Sequence, residues 1–157
     1  MALWGARFSD GPADAVFALS RSAHFDWRLA PYDIRSSLAH LSVLESSKLV
    51  TKDEAAAIRA ALKELANEVA KGSFVADATD EDVHSALERG LTAKLGPVGG
   101  ALRAGRSRND QVTTDLRLFA IDHMLEVAAL ITVLNSAILK KASEYVNDSA
   151  PGFTHIQ

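Results

Sequence analysis

Between Leu102 and Gln111 the chain reads Leu-Arg-Ala-Gly-Arg-Ser-Arg-Asn-Asp-Gln, which places three arginines and an asparagine where a long helical pattern begins. A helix start presents backbone N–H groups without partners and a partial positive charge. Adding Arg106, Arg108 and the Asn109 amide makes a receptor for a carboxylate or a phosphate. Gly105, just ahead of the motif, suits such a receptor. Ser107 and Asp110 also have capping-box spacing, so a capped helix with solvated arginines uses the same residues, and the spacing alone leaves both readings open. A nucleotide-binding P-loop is excluded, because no Gly-Lys-Ser/Thr follows at the required distance.

Two further places carry chemistry. The run from Pro151 to Gln157 is Pro-Gly-Phe-Thr-His-Ile-Gln, a turn signal followed by a hydroxyl and an imidazole. His155 can move protons near neutral pH and Thr154 can donate to a neighbouring carboxylate, although a single exposed histidine in a turn looks the same in sequence. In Asp80-Glu81-Asp82-Val83-His84, acids alternate with an imidazole. Asp80 and His84 are four apart and share a helix face, but no third ligand is near in sequence. N-capping with an internal ion pair therefore accounts for the run better than a metal does. His24, His40 and His123 stand alone.

The elements that must position these groups are helical, and the expected class is all-α. Ile34, Leu38, Leu41 and Leu44 fall on one face of a helix over 31–49, with Pro31 at its first turn. Thr51-Lys52-Asp53-Glu54 has capping-box form and opens a second helix carrying Ile58, Leu62, Leu65 and Val69, which Gly72 ends. Thr79 to Asp82 brings negative charge to the start of a third helix with Val83, Leu87, Leu91 and Leu95, stopped by Gly96-Pro97. From Arg106 to Ala150 there is neither Gly nor Pro, and apolar residues recur at Val112, Leu116, Phe119, Val127, Leu130, Leu134 and Ile138. That pattern predicts one helix of roughly 40 residues spanning about 60 Å, which a small domain cannot bury alone. Its faces ask for partner helices, as in a bundle. A boundary near Gly99-Gly100 divides the chain into an N-terminal helical domain, 1–104, and the first long helix of a bundle domain, 105–157.

Composition narrows the function classes. Hydrophobic residues make up 48% of the 157 and charged residues 24%, the balance of a globular protein. With 17 basic and 20 acidic side chains the net charge is −3, so nothing chain-wide favours nucleic acid or an anionic membrane surface, and any anion site must be local. The lack of cysteine removes disulfides, thiolate metal sites and thiol nucleophiles, which fits a cytoplasmic protein. The N-terminus, Met1 to Phe8, lacks the basic start and apolar stretch of a signal peptide, and nowhere do 18 apolar residues run together.

The order of these motifs resembles the argininosuccinate lyase family over the whole chain. Leu3-Trp4-Gly5-Ala6-Arg7-Phe8 is similar to the family's Leu-Trp-Gly-Gly-Arg-Phe, and Asp80 to His84 to its Asp-Glu-Asp-Ile/Val-His. Gly105 to Val112 reproduces its central Gly-Arg-Ser-Arg-Asn-Asp-Gln-Val, and Pro151 to Gln157 resembles Pro-Gly-Tyr-Thr-His-Leu-Gln. The departures are Ala6 for Gly, Arg103-Ala104 where His-Thr is common, Phe153 for Tyr and Ile156 for Leu.

The resemblance implies a cofactor-free, metal-free enzyme that eliminates fumarate from argininosuccinate to leave arginine. It also implies a homotetramer whose long helices form a central bundle and whose sites draw segments from different subunits. It assigns Ser22, Arg108, Asn109 and Thr154 to substrate, His155 to proton transfer or to orienting the acid–base group, and Asp26, Asp82 and His84 to support. The family's Gly-Ser-Ser-x-Met-Pro-x-Lys-x-Asn loop, with its catalytic serine, is not among these residues, which implies one part of a longer polypeptide, inactive by itself. Two alternatives stand beside it: a sister lyase of the fumarase and aspartase superfamily, from which the Ser-Arg-Asn-Asp-Gln form points away, and a structural protein of the delta-crystallin kind, which shares fold and motifs without turnover.

Overall fold

The structure, a computed structural model, describes residues 13–150 and 152–155. Every regular element among those residues is a helix, with no strand among them, as the periodicity predicts. The Leu3–Phe8 motif lies outside the described residues, as do Pro151, Ile156 and Gln157 of the C-terminal one.

Two short helices, α1 (Asp14–Ser20) and α2 (Ala23–Asp26), lead through a 3₁₀ turn (Trp27–Leu29) into α3 (Ala30–Ser46). Pro31 sits in the first turn of α3, where its missing N–H has no helical partner to lose. The helix ends with Lys48 in the left-handed region at φ 60°: the Lys48 N–H donates to Glu45 O and the Leu49 N–H to Leu44 O. This is a Schellman closure. The next helix, α4 (Lys52–Ala70), starts on the expected capping box. Glu54 N–H donates to Thr51 Oγ1 at 3.2 Å, and Thr51 N–H donates back to Glu54 Oε2 at 2.8 Å. Gly72 closes it at φ 69°.

After a loop come α5 (Val83–Leu95), a single turn α6 (Pro97–Gly100), a 3₁₀ turn (Ala101–Arg103) and the long α7 (Arg108–Glu144). The sequence pattern anticipates α7 over 106–150, and its 37 residues begin and end slightly inside that range.

Contacts divide the chain into two units, one ending at Phe119 and the other starting at Ala120. In the first, α3 packs on α4 and α4 on α5, and α6 folds back on α5. Leu41, Leu44, Ile58, Leu65 and Val83 are fully buried between them, and Ile34, Leu62, Leu87 and Leu91 complete the interior. These are the residues that the helical spacing places inward. Leu38, Val69 and Leu95, from the same stripes, pack at its edge.

The second unit is the rest of α7 with the C-terminal tail. Residues 121–150 are all exposed, among them Leu125, Leu130, Ile131, Leu134 and Ile138 at 52–66% of full accessibility. This stretch is long and apolar enough to cross a membrane by length and composition, a test that bundle helices of soluble proteins also pass.

A close approach of backbone to backbone at Gly99 lets α6 fold against α5. A Cβ there would lie 2.8 Å from the Leu91 carbonyl oxygen, closer than backbone can accommodate without shifting. One residue on, Gly100 has open space. We expect Gly99→Ala to lower stability by about 1–3 kcal/mol and Gly100→Ala to leave it within about 0.5 kcal/mol or raise it, read as urea midpoints by circular dichroism. Equal effects at both positions would contradict the close approach.

Candidate functional site

The N-terminal end of α5 gathers four of the residues singled out by sequence, Ser22, Asp26, Asp82 and His84. Asp82 is its N-cap: Oδ1 accepts from Ser85 N–H at 2.6 Å, and Ser85 Oγ accepts from Asp82 N–H at 3.0 Å. Asp26, on α2, adds a second acceptor, taking the Val83 N–H on Oδ1 at 3.2 Å. Its other oxygen accepts the Ser22 hydroxyl at 2.5 Å, and the Ser22 N–H donates to Glu81 O. Ser22, Asp26 and Asp82, distant in sequence, are thus one hydrogen-bonded cluster on the first turn of α5, where carboxylates complement the helix dipole.

One residue further, His84 is buried and faces the interior of the first unit. The expected pairing with Asp80 does not form. Asp80, also buried, is taken by Arg89, whose Nη2 lies 2.7 Å from Oδ2, while the same carboxylate accepts the Asp77 N–H. His84 pairs instead with Asp33 of α3, Nδ1 to Oδ2 at 2.5 Å, with an Asp115 oxygen at 3.6 Å. Helical spacing misassigns the partner because it sees one helix, whereas a buried imidazole is satisfied by whatever helix packs over it.

Around this pair lies a buried polar network. The Ser37 hydroxyl donates to Asp33 Oδ1 at 2.8 Å, and Gln111 Nε2 donates to Asp33 Oδ2 at 2.7 Å. Arg106 reaches both serines of α3, Nη1 to Ser37 Oγ at 2.8 Å and Nη2 to Ser36 Oγ at 2.7 Å. Burial pushes the Asp33 carboxyl up, but hydrogen bonding and charge from His84, the Ser37 hydroxyl and Arg106 outweigh it and leave it below the ordinary range. Asp115 goes the other way. Burial above all, reinforced by the charge of Asp33, lifts its carboxyl to about 6 against the pull of Ser36, His84 and Arg106. The Ser36 hydroxyl donates to the Asp33 carbonyl, and neither Asp115 carboxylate oxygen has a hydrogen-bond partner among the described residues.

Asp33, His84 and Asp115 each offer a ligand atom within 4.8 Å of the others. A metal at about 2.1 Å from each donor would hold neighbouring donors roughly 3.3 Å or more apart, whereas His84 Nδ1 and Asp33 Oδ2 stand at 2.5 Å. The spacing is that of a shared proton.

Beside the network opens a cleft of about 40 Å³, lined among others by Asp33, His84, Glu88, Arg103, Arg108 and Gln111. Arg108, half-buried, donates from Nη1 to Gln111 Oε1 at 3.4 Å and from Nη2 to Glu88 Oε2 at 3.5 Å, both long, and its buried Nε has no partner among the described residues. Arg103 Nη1 bonds Glu88 Oε1 at 3.0 Å. Asn109 is exposed beside them. Of the arginines in the motif, Arg106 is therefore committed to α3, and Arg108 holds donors that only weak contacts engage. Thr154 and His155 lie in the second unit, both exposed, with His155 at φ 53°, a left-handed conformation uncommon outside glycine.

Sequence reasoning missed Asp33, Asp115 and the serines that hold Arg106. No local spacing singles them out, since their partners lie on other helices.

A family profile described as Lyase matches residues 7–157, nearly the whole chain. The chain belongs to the lyase family. Among curated proteins it is similar to the argininosuccinate lyase of Frankia casuarinae, 55% identical over 157 residues that make up 100% of this chain and 34% of the relative. The argininosuccinate lyases of Streptomyces coelicolor, 53% identical over 156 residues, and Corynebacterium glutamicum, 49% over 157, each match 99% of this chain with 33% of their own length. This lyase-family chain spans about a third of the length of the curated relatives it matches.

The elevated carboxyl of Asp115 has a consequence for stability. Because the folded state holds the proton more tightly than the unfolded chain, the stabilisation from Asp115 is complete below about pH 4 and is lost as pH rises through about 6. Ionisation there costs the native state on the order of 1–3 kcal/mol. Asp115→Asn removes that cost, so its urea midpoint relative to wild type should be higher at pH 7.5 than at pH 4.5. A pH-independent difference would show that Asp115 does not titrate with folding.

Proposed function

We propose that this chain is the N-terminal part of an argininosuccinate lyase, which eliminates fumarate from argininosuccinate and leaves arginine. The observation carrying this reading is the Gly105–Val112 motif, of which Arg106, Arg108 and Gln111 line a cleft and Arg108 is weakly engaged, in a chain about half identical along its whole length to proteins of that name.

The chemistry needs what the site supplies. A base takes a proton from the carbon next to a carboxylate while an acid assists departure of the guanidino nitrogen, through an intermediate with two negative charges on that carboxylate. So weak a carbon acid reacts only where fixed donors meet the growing charge, an effect typically worth several kcal/mol. Arg108, Asn109 and Thr154 are the donors in this reading. Ser22, with Asp26 behind it, meets the amino-acid portion, and His155 moves the proton or orients the group that does. Asp82 and His84 support these residues from α5. The reading calls for no cofactor or metal.

The apolar residues of α7 beyond Phe119 are exposed at half or more of their full area, a load a soluble protein covers with partners. We assign that surface to helices of a homotetramer, in which the long helix opens the bundle domain and Thr154 and His155 join sites built from several subunits. A cytoplasmic, small-molecule enzyme follows from the same reading, without nucleic-acid or membrane partners.

Two outcomes test it, both by ultraviolet absorbance of released fumarate. The 157-residue chain alone should release none, and mixing it with the C-terminal two thirds of the Frankia casuarinae relative should restore turnover. In that assembled pair, Asn109→Ala should lower kcat/KM at least tenfold, about 1.4 kcal/mol or more, with helicity and assembly unchanged. Wild-type kinetics in the variant would remove the motif from the anion site, and turnover by the isolated chain would overturn the shared-site reading.

A further inference from the structure

Asp33 belongs to none of the motifs, yet its one buried carboxylate touches three of the elements that line the cleft. Oδ2 accepts from His84 Nδ1 on α5 and from Gln111 Nε2 on α7, and Oδ1 accepts from Ser37 on its own helix. An ionised carboxylate can only accept, so each partner is forced to present a hydrogen to it. For Gln111 that decides the amide. With nitrogen toward Asp33, the oxygen turns to Arg108, whose Nη1 it accepts at 3.4 Å. The reversed amide would set oxygen against carboxylate and NH₂ against guanidinium. For His84 it sets the hydrogen on Nδ1 in the charged and the neutral ring alike, and the neutral ring, with one donor nitrogen and one acceptor nitrogen, is then the Nδ1–H tautomer. With the proton on Nδ1, Nε2 carries the lone pair, and His84 lines the cleft.

We propose that Asp33 is the positioning residue of this cleft, holding His84 as the Nδ1–H tautomer so that its Nε2 meets a ligand as an acceptor, and turning the Gln111 oxygen toward Arg108. The consequence for Arg108 as a substrate donor rests on the lyase reading; the tautomer and the amide orientation do not. The identities follow from charge and distance: a carboxylate below its ordinary range, fully enclosed, with three donors from three side chains at 2.5–2.8 Å.

The test is made on the 157-residue chain without substrate, by nitrogen NMR of the histidine rings and side-chain amide resonances of Gln111. Wild type should show His84 with Nδ1 protonated, and with Nε2 bare in the neutral ring. In Asp33→Ala, still helical by circular dichroism, the ring should move toward the Nε2–H form that free histidine prefers, and the Gln111 amide protons should shift toward solvent-exposed values. Should the alanine cavity unfold the chain, Asp33→Leu fills the volume without an acceptor and is read the same way. A wild-type His84 protonated on Nε2, or a folded variant with both signatures unchanged, overturns the proposal. With the tautomer as stated, failure of the pair assembled with the C-terminal two thirds of the relative to release fumarate would count against the lyase reading instead.

Discussion

The constraint on which the rest of the first unit depends is that charge is buried where three helices meet, and that it must balance there. Asp33, Asp115, His84 and Arg106 lie within one network, and none of these groups can leave without stranding another. A buried ion pair is a poor source of net stability, since desolvation offsets most of the attraction, but removal of one member typically costs about 3–5 kcal/mol. Such a network therefore acts by selection. Apolar stripes do not fix a packing register by themselves; the observed one brings His84 of α5 and Gln111 of α7 to Asp33 of α3 and so satisfies these polar groups.

That selection places the functional motif. Arg106 reaches α3 and Gln111 reaches Asp33, so the first turn of α7 is pinned on both sides of Arg108 and Asn109. Pinning the flanking residues leaves these two with weak or no intramolecular partners, at low conformational cost for a ligand to engage them. The incomplete satisfaction of Asp115 and of Arg108 Nε stands out against an otherwise fully bonded network.

Helical class, the Thr51–Glu54 capping box and the inward residues were legible in sequence because each depends on a period or a local spacing. Thr51 with Glu54, the apolar stripe of α4 and the closure at Gly72 all lie within 22 residues, and the structure reproduces them. What was illegible is long-range. Asp33 lies 51 residues from His84 and 78 from Gln111, and no local pattern distinguishes a carboxylate destined for the interior from one on a solvated face. The His84–Asp80 expectation failed for that reason. The family motifs marked His84, Arg108 and Asn109 without saying what holds them, since a motif records which side chains recur and not which contacts orient them.

The cluster at the start of α5 shows how holding and binding share the same groups. The single proton of the Ser22 hydroxyl is spent on Asp26 Oδ2 at 2.5 Å, and Asp26 Oδ1 is spent on the Val83 N–H. A hydroxyl has one donor and two acceptor sites, so Ser22, placed in this way, meets a ligand with lone pairs. That suits an ammonium or guanidinium donor and repels a carboxylate. In the lyase reading proposed above, the donors for carboxylates are Arg108 and the Asn109 amide, so that acceptors for the nitrogen end of a substrate and donors for its acid end come from different helices. The division follows from which lone pairs and protons the fold has already used, and it sets the polarity that a substrate carrying both kinds of group must match.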